Sequence, residues 1–421
     1  MGPAAQHHRG MKFWQKVLVA LVVVGVVPIL VVSAVSVTQT RDQLTSLGVT
    51  NIQQRSTSTA GAIDAYLQSR LGDIVLVGKL PDIVRYAQNT GDAGAKANAR
   101  AALAAAAARS PEYESVAVVD KNGTIAAASL QSDEGTSVKF RQYFITALSG
   151  TPYISDPSYS VITLRPALFF SSPVKDASGQ VLAVVRTRVN LNAVWDLVEA
   201  DAGSVGPGAH GFLLDDYGIR LAVSETKGHR DQADSLIYKP IAPIDPQVAT
   251  KLAADKRFGN KTPDQLVVDP LPELKTALDG VKAAGSSTAF AYRVSGAEQR
   301  GVTTRLTSKP WAYVLAIPLA EYTRAADDAT ESAGIMIAIG LVLSLAMSVT
   351  LTRSLVGPLR RLLHRATQVS TGDVDLREAY FDTQTGDDVI RDVASAFDRM
   401  LTALRFYALA DEDSPRATVR R

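Results

Sequence analysis

The sequence predicts an α+β ectodomain: a long N-terminal helix, then two tandem modules with antiparallel sheets. Two transmembrane helices flank it, and a helical cytoplasmic relay follows. Three observations predict this. Two long uncharged apolar segments stand near the ends of a 421-residue chain. A strand–D-x-x-G–strand unit recurs between them. Apolar seams at alternating three- and four-residue steps follow the second segment.

The first segment, 17–40, is dense in Val, Leu and Ile, and the second, 332–352, is equally free of charge. Each is long enough to cross about 30 Å of hydrocarbon at about 1.5 Å per residue. A cleaved signal peptide is the alternative for the first, with Ser33, Ala34 and Ser36 near its end, but its apolar run exceeds the ~7–15 residues of a usual signal core. Pro28 lies mid-span, where a kink is tolerated. Arg9, Lys12 and Lys16 precede the first span, and Arg353, Arg360, Arg361 and Arg365 follow the second. These basic flanks belong in the cytoplasm, which puts 41–331 outside it and both termini (1–16 and 353–421) inside. A two-pass membrane protein, in contact with lipid, is the expectation.

From Arg41 to about Leu80 the apolar positions Leu44, Leu47, Ile52, Ile63, Tyr66, Leu67, Leu71 and Ile74 follow a helical repeat, which Pro81 is expected to end. Asp92–Arg109 is alanine-rich and reads as a plain surface helix. The period then changes. Ser115–Val119, the turn Asp120-Lys-Asn-Gly123 and Thr124–Ala128 form a hairpin signal, because Asn and Gly both accept positive φ. The unit returns around Asp176–Gly179 and Asp215–Gly218. Asp120 and Asp215 are 95 residues apart, about one small module. The distal module is placed at about 81–200 and the proximal at about 209–325.

The order of these segments resembles the double Cache sensor of bacterial chemoreceptors and sensor histidine kinases. The resemblance is carried by Val116–Ala128, Phe140-Arg-Gln-Tyr-Phe144, Ala147, Gly150, Tyr153-Ile-Ser-Asp-Pro157, Ser172-Pro-Val174, Gly179-Gln-Val181, Pro310-Trp-Ala-Tyr-Val314 and Ile317-Pro318. A Pro- and Asp-rich insertion from about Lys227 to Gly285 departs from it.

The resemblance implies a small-molecule ligand in the distal module. Arg141, Tyr143 and Phe144 stand where amino-acid sensors of this family have Arg, Trp and Tyr. The Asp that holds the ligand ammonium in that family falls near Arg188, so a cation replaces it, against α-amino-acid binding. Arg186 and Arg188 share one strand face and with Arg141 form a candidate clamp for an anion such as a dicarboxylate. The competing reading is a pair of solvated strand-edge arginines. Tyr153, Asp156 and Tyr159 complete the candidate set, with Asp156-Pro157 equally readable as a turn.

After the second span, Leu355, Leu359, Leu362, Ala366 and Val369 step by 4, 3, 4, 3, and Ile390, Val393, Phe397, Met400 and Leu404 step by 3, 4, 3, 4. Neither seam can be buried alone. The pattern resembles a HAMP relay over 353–406: Pro358 near the start of its first helix, Gly372 opening the connector, Asp387 and Asp388 at the start of its second. The resemblance implies a parallel four-helix bundle made by a homodimer, with Leu359, Leu362, Phe397 and Met400 in its seams. The remaining tail, 407–421, is too short for a catalytic or methyl-accepting domain. Output is therefore expected from a separate partner in trans. The alternatives are the sensing portion of a longer kinase, chemoreceptor or cyclase, and a membrane-anchored binding or scaffold protein.

Composition excludes other classes. The 44 Lys plus Arg balance 42 Asp plus Glu, which argues against nucleic acid. Without cysteine there is no disulfide framework, thiolate metal site or cysteine nucleophile. His210 and His229 lie in loops without partners at metal-ligand spacing, and His364 falls on the exposed side of the first seam. No enzyme activity, cofactor or metal is expected.

Overall fold

The computed structural model describes residues 13–226, 228, 230, 236–259, 261–294, 296–351, 353–354, 357–371, 380 and 388–412. The chain forms two compact units, Arg41–Arg324 and Met1–Thr40 with Ala325–Arg421.

Helix α1 (Phe13–Val77) is continuous and passes through Pro28. In its part beyond Arg41, Ile52, Ile63, Leu67 and Ile74 are fully buried, on the face the spacing predicts. The helix ends at Val77, before Pro81. Pro81 opens α2 (Pro81–Gln88) instead of merely stopping α1, since a first-turn proline sacrifices no hydrogen bond. In α3 (Ala93–Ala107) the Asp92 side chain caps the start, accepting from Gly94 N and Ala95 N. The expected plain surface helix is corrected here. Ala95, Ala99, Leu103 and Ala106 are buried, because a face mostly of methyl groups lets α3 lie close to the first strand.

The distal sheet comprises β1 (Tyr113–Val119), β2 (Ile125–Ala128), β3 (Tyr153–Ile154), β4 (Ser158–Tyr159), β5 (Pro166–Lys175) and β6 (Val181–Val189). Its order is β2-β1-β6-β5-β3, with β4 also on β5. The helix α4 (Gln142–Leu148) covers one face. The helix α5 (Asn192–Val205) leads to the proximal sheet of β7 (His210–Leu214), β8 (Arg220–Val223), β9 (Ser287–Val294), β10 (Ala297–Arg305) and β11 (Ala312–Pro318). Its order, β8-β7-β11-β10-β9, repeats the distal pattern. All pairings are antiparallel.

The three D-x-x-G turns share one hydrogen-bond set. The glycine N–H donates to the aspartate carbonyl at 3.0, 3.0 and 3.1 Å for Gly123, Gly179 and Gly218. Each aspartate Oδ1 accepts from the backbone two and four residues on: Asn122 and Thr124, Ser178 and Gln180, Tyr217 and Ile219. Only the glycines have positive φ, at 83°, 87° and 77°. The Asn-Gly hairpin is thus a four-residue turn with a bulge at Val118/Val119, in which Asn122 needs no left-handed backbone.

One core runs through both modules. It joins Ile52, Ile63, Leu67 and Ile74 of α1 to Val116, Phe170 and Val185 of the distal sheet and to Leu213, Val302, Trp311 and Tyr313 of the proximal one. Asp64 of α1 accepts from the backbone N–H and hydroxyl of both Thr307 and Ser308. The insertion between β8 and β9 carries the helices Pro246–Ala254 and Pro272–Gly280.

In the other unit, Thr330–Leu351 is long and apolar enough to cross a membrane, and among the described residues it is the one such segment. Ile335, Met336, Val342 and Leu343 stand exposed on it. The first predicted span, 17–40, lies in α1, where several side chains fall outside the described ones. Helices Gly357–Thr371 and Asp388–Glu412 pack through Leu401 against Leu362, Ala366, Val369 and Phe397. Pro358 is buried, while Leu359 and Met400 are 53% and 54% exposed. Leu355, Gly372 and Asp387 lie outside the described residues, and Asp388 begins the second helix.

Candidate ligand site in the distal module

Strand β6 alternates. Val185 and Val189 enter the large core beside α1, while Val184, Arg186 and Arg188 face the opposite side, toward α4. The reading of solvated strand-edge arginines is overturned. Strand β6 is central, paired with β1 and β5, and the two arginines are 1% and 2% exposed. Their charge is met by Asp133, in the short turn Gln131–Asp133 after β2. Asp133 Oδ2 accepts from Arg186 Nη2 and Arg188 Nη1, each at 3.0 Å, and from Ser115 Oγ at 2.6 Å. Glu114 accepts from Arg188 Nε at 3.0 Å. Among the described residues, Asp133 Oδ1, Arg186 Nε and Arg141 Nε are buried without a hydrogen-bond partner.

Arg141 precedes α4 and is 1% exposed. It donates to Ser158 Oγ at 3.1 Å and to the carbonyls of Asp255 and Tyr159, both at 2.6 Å. The Asp255 carboxylate stands 3.8 Å away. Its guanidinium lies over the rings of Phe140 and Phe169, and burial pulls its pKa down. The Tyr143 ring stacks on Phe169 at 4.8 Å. Burial pushes the Tyr143 hydroxyl up, against the fields of Arg186, Arg141 and Arg188. Phe144 packs in the core with Ala147. Tyr159 N donates to Lys256 O of the insertion, and its ring lies 5.5 Å from that of Tyr238.

The remaining candidates lie elsewhere. Asp156 accepts from Trp311 Nε1 and Arg257 Nη1, both at 2.6 Å, and from Lys309 Nζ at 3.0 Å. Arg257 sends its other arm to Asp215, the turn aspartate of the proximal module, at 2.5 Å. Burial would raise the Asp156 carboxyl, but Arg257 and Lys309 outweigh it and hold it at about 2. Complete burial pushes Asp215 up, with Arg257 pulling the other way. Tyr153 lies 5.3 Å from Lys309 Nζ, and burial pushes its hydroxyl up to about 12. The eight candidates thus divide between the distal sheet face and the junction of the two modules.

Sequence reasoning missed Asp133, Glu114, Asp255 and Arg257. Arg188 stands at the position where the family's ammonium-holding Asp was expected, and Asp133 brings a carboxylate beside it from another element. Asp133 reads as one acid in a loop and reaches Arg188, 55 positions on, only through the sheet order.

The Cache domain family model matches residues 36–326, and the HAMP domain model matches 350–406. The sensor domain of the V. cholerae histidine kinase DctB superposes with a TM-score of 0.53 at 13% identity, covering 66% of this chain and 98% of that one. The isoleucine-bound sensory domain of the Campylobacter jejuni chemoreceptor Tlp3 gives 0.46 at 12% identity, covering 68% and 98%. The L-alanine complex of the Pseudomonas fluorescens chemoreceptor CtaA gives 0.43 at 16%, covering 64% and 96%. No curated protein sequence matches the chain.

Proposed function

The chain belongs to the Cache-domain family, and on that premise we propose a bacterial membrane receptor whose distal module binds a small carboxylate-bearing molecule. Cache sensor and HAMP relay are signalling modules, not catalytic ones. The observation that carries the ligand class is the buried Arg186–Asp133–Arg188 cluster beside Tyr143, with a donor and an acceptor atom still unpartnered. Guanidinium forks match carboxylates. An anion such as a dicarboxylate is the first reading. The unpartnered Asp133 Oδ1 favours a second, an amino acid whose ammonium that oxygen receives.

The wider proposal is a two-pass inner-membrane homodimer with both termini cytoplasmic. Apolar side chains exposed on the relay helices, Leu359, Val393, Met400 and Leu404, support a second copy there. The uncovered apolar surface of 330–351 supports lipid contact. A separate cytoplasmic kinase or methyl-accepting protein reading the second relay helix is the proposed output.

Thermal shift of the solubilised receptor with succinate and with L-alanine tests the ligand class. Because the arginines are buried, each variant is compared with its own unliganded melting point. Removing one charged contact weakens binding roughly ten- to a hundredfold, so Arg188→Gln should lose the carboxylate shift. A shift unchanged in both Arg186→Gln and Arg188→Gln places the site elsewhere.

A further inference from the structure

The insertion that departs from the family pattern builds a cleft of about 410 Å³ against the distal module. Its walls come from Tyr159, Val161 and Leu164 on one side and from Lys256, Phe258 and Lys261 of the insertion on the other. None of the lining residues is acidic. Two lysines therefore line an otherwise largely apolar and aromatic hollow, within the size range of small-molecule sites, ~300–1,000 Å³.

The backbone around it is strained. Among the described residues, the non-glycine positions with positive φ are Leu164, Tyr238 and Lys256, at 55°, 59° and 59°. Leu164 and Lys256 line the cleft, and Tyr238 packs against its Tyr159 wall. Bulky residues in this region carry an energetic penalty and concentrate at ligand sites and switches. Leu164 is held there by its N–H to Ser160 O at 2.9 Å, and it projects 64% exposed. Gly259, at φ 65°, lies beneath the Tyr159 ring, where an added Cβ would come within 3.2 Å.

We infer that this cleft is a second binding site, distinct from the distal sheet face, for a small amphipathic anion such as an aromatic carboxylate. Tyr159, Val161, Leu164 and Phe258 would take the apolar body, and Lys256 and Lys261 the charge. The cleft is tied to the candidate site through backbone: Arg141 donates to the carbonyls of Tyr159, which lines the cleft, and of Asp255, which precedes the lining Lys256. Occupation of the cleft and the position of Arg141 are thereby linked.

The test uses the full-length receptor in detergent and three probes: benzoate, uncharged benzyl alcohol and inorganic phosphate. Benzoate should raise the melting temperature, with the two controls much weaker. In the Lys256→Gln/Lys261→Gln double variant the apparent benzoate affinity should fall about tenfold or more. Both lysines are at least partly exposed, so the variant should fold. The inference is overturned if benzoate gives no shift, if benzyl alcohol matches it, or if the double variant keeps the native affinity. Loss of the benzoate shift in Arg188→Gln but not in the lysine variant would assign benzoate to the distal face and equally overturn it.

Discussion

Removing Arg257 should weaken the whole Arg41–Arg324 unit. The guanidinium is 3% exposed and lies between Asp156 and Asp215 at 2.6 and 2.5 Å. Asp215 is fully buried and has no other cation within salt-bridge reach among the described residues. In Arg257→Met, Asp156 keeps Lys309 and Trp311, whereas Asp215 is left with two backbone N–H donors only. Stranding one partner of a buried pair costs about 3–5 kcal/mol. At roughly 2–4 °C per kcal/mol for a large domain, the melting point should fall by about 10 °C. Urea unfolding followed by tryptophan fluorescence suits the measurement, because Trp311 belongs to the same network. Adding Asp215→Asn removes the stranded charge and should recover a substantial part of the loss. The reasoning fails if Arg257→Met stays within ~1 kcal/mol of the native protein, or if the double variant is no better than the single one.

Acid should act through the same cluster. The folded-state pKa of Asp156 is lowered from 3.8 to about 2, so its stabilisation is complete above the unfolded value and disappears as pH falls through the folded one. About 2 kcal/mol should be lost between roughly pH 4 and pH 2, and Asp156→Asn should flatten that limb of a urea-midpoint titration. Asp64→Ala deprives the Thr307 and Ser308 backbone and hydroxyl groups of one carboxylate, and a loss of about 2–4 kcal/mol is expected from chemical denaturation. In the relay, Met400→Cys in a chain without other thiols should give a disulfide-linked dimer on mild oxidation in membranes. Monomer alone from cysteines at Leu359, Leu362 and Met400 would contradict the dimeric bundle.

What the sequence showed plainly was local. The D-x-x-G turns are encoded within five residues, because the aspartate carboxylate and the glycine φ complete the turn without help from the rest of the chain. The shared face of Arg186 and Arg188 followed from strand alternation alone. Their burial did not, since it depends on β6 lying between β1 and β5, which only the sheet order decides. Asp156 looked equally like a turn or a ligand contact because its partners Arg257, Lys309 and Trp311 are about a hundred or more positions away. The alanines of α3 were misjudged for a related reason. Propensity speaks for the helix but says nothing of what its methyl face lies against.

The core threaded by α1 has a consequence for how the Arg41–Arg324 unit comes apart. Ile52 and Ile63 share one cluster with strands of both modules, so neither sheet keeps its packing if the other melts away from the helix. The two repeats are then a single cooperative folding unit, closer to two-state behaviour than to a pair of independent beads. A molecule seated against Arg188 would raise the opening free energy of amides in β10 and β11, far from any contact with it, because the route to their exchange is the unfolding of the whole.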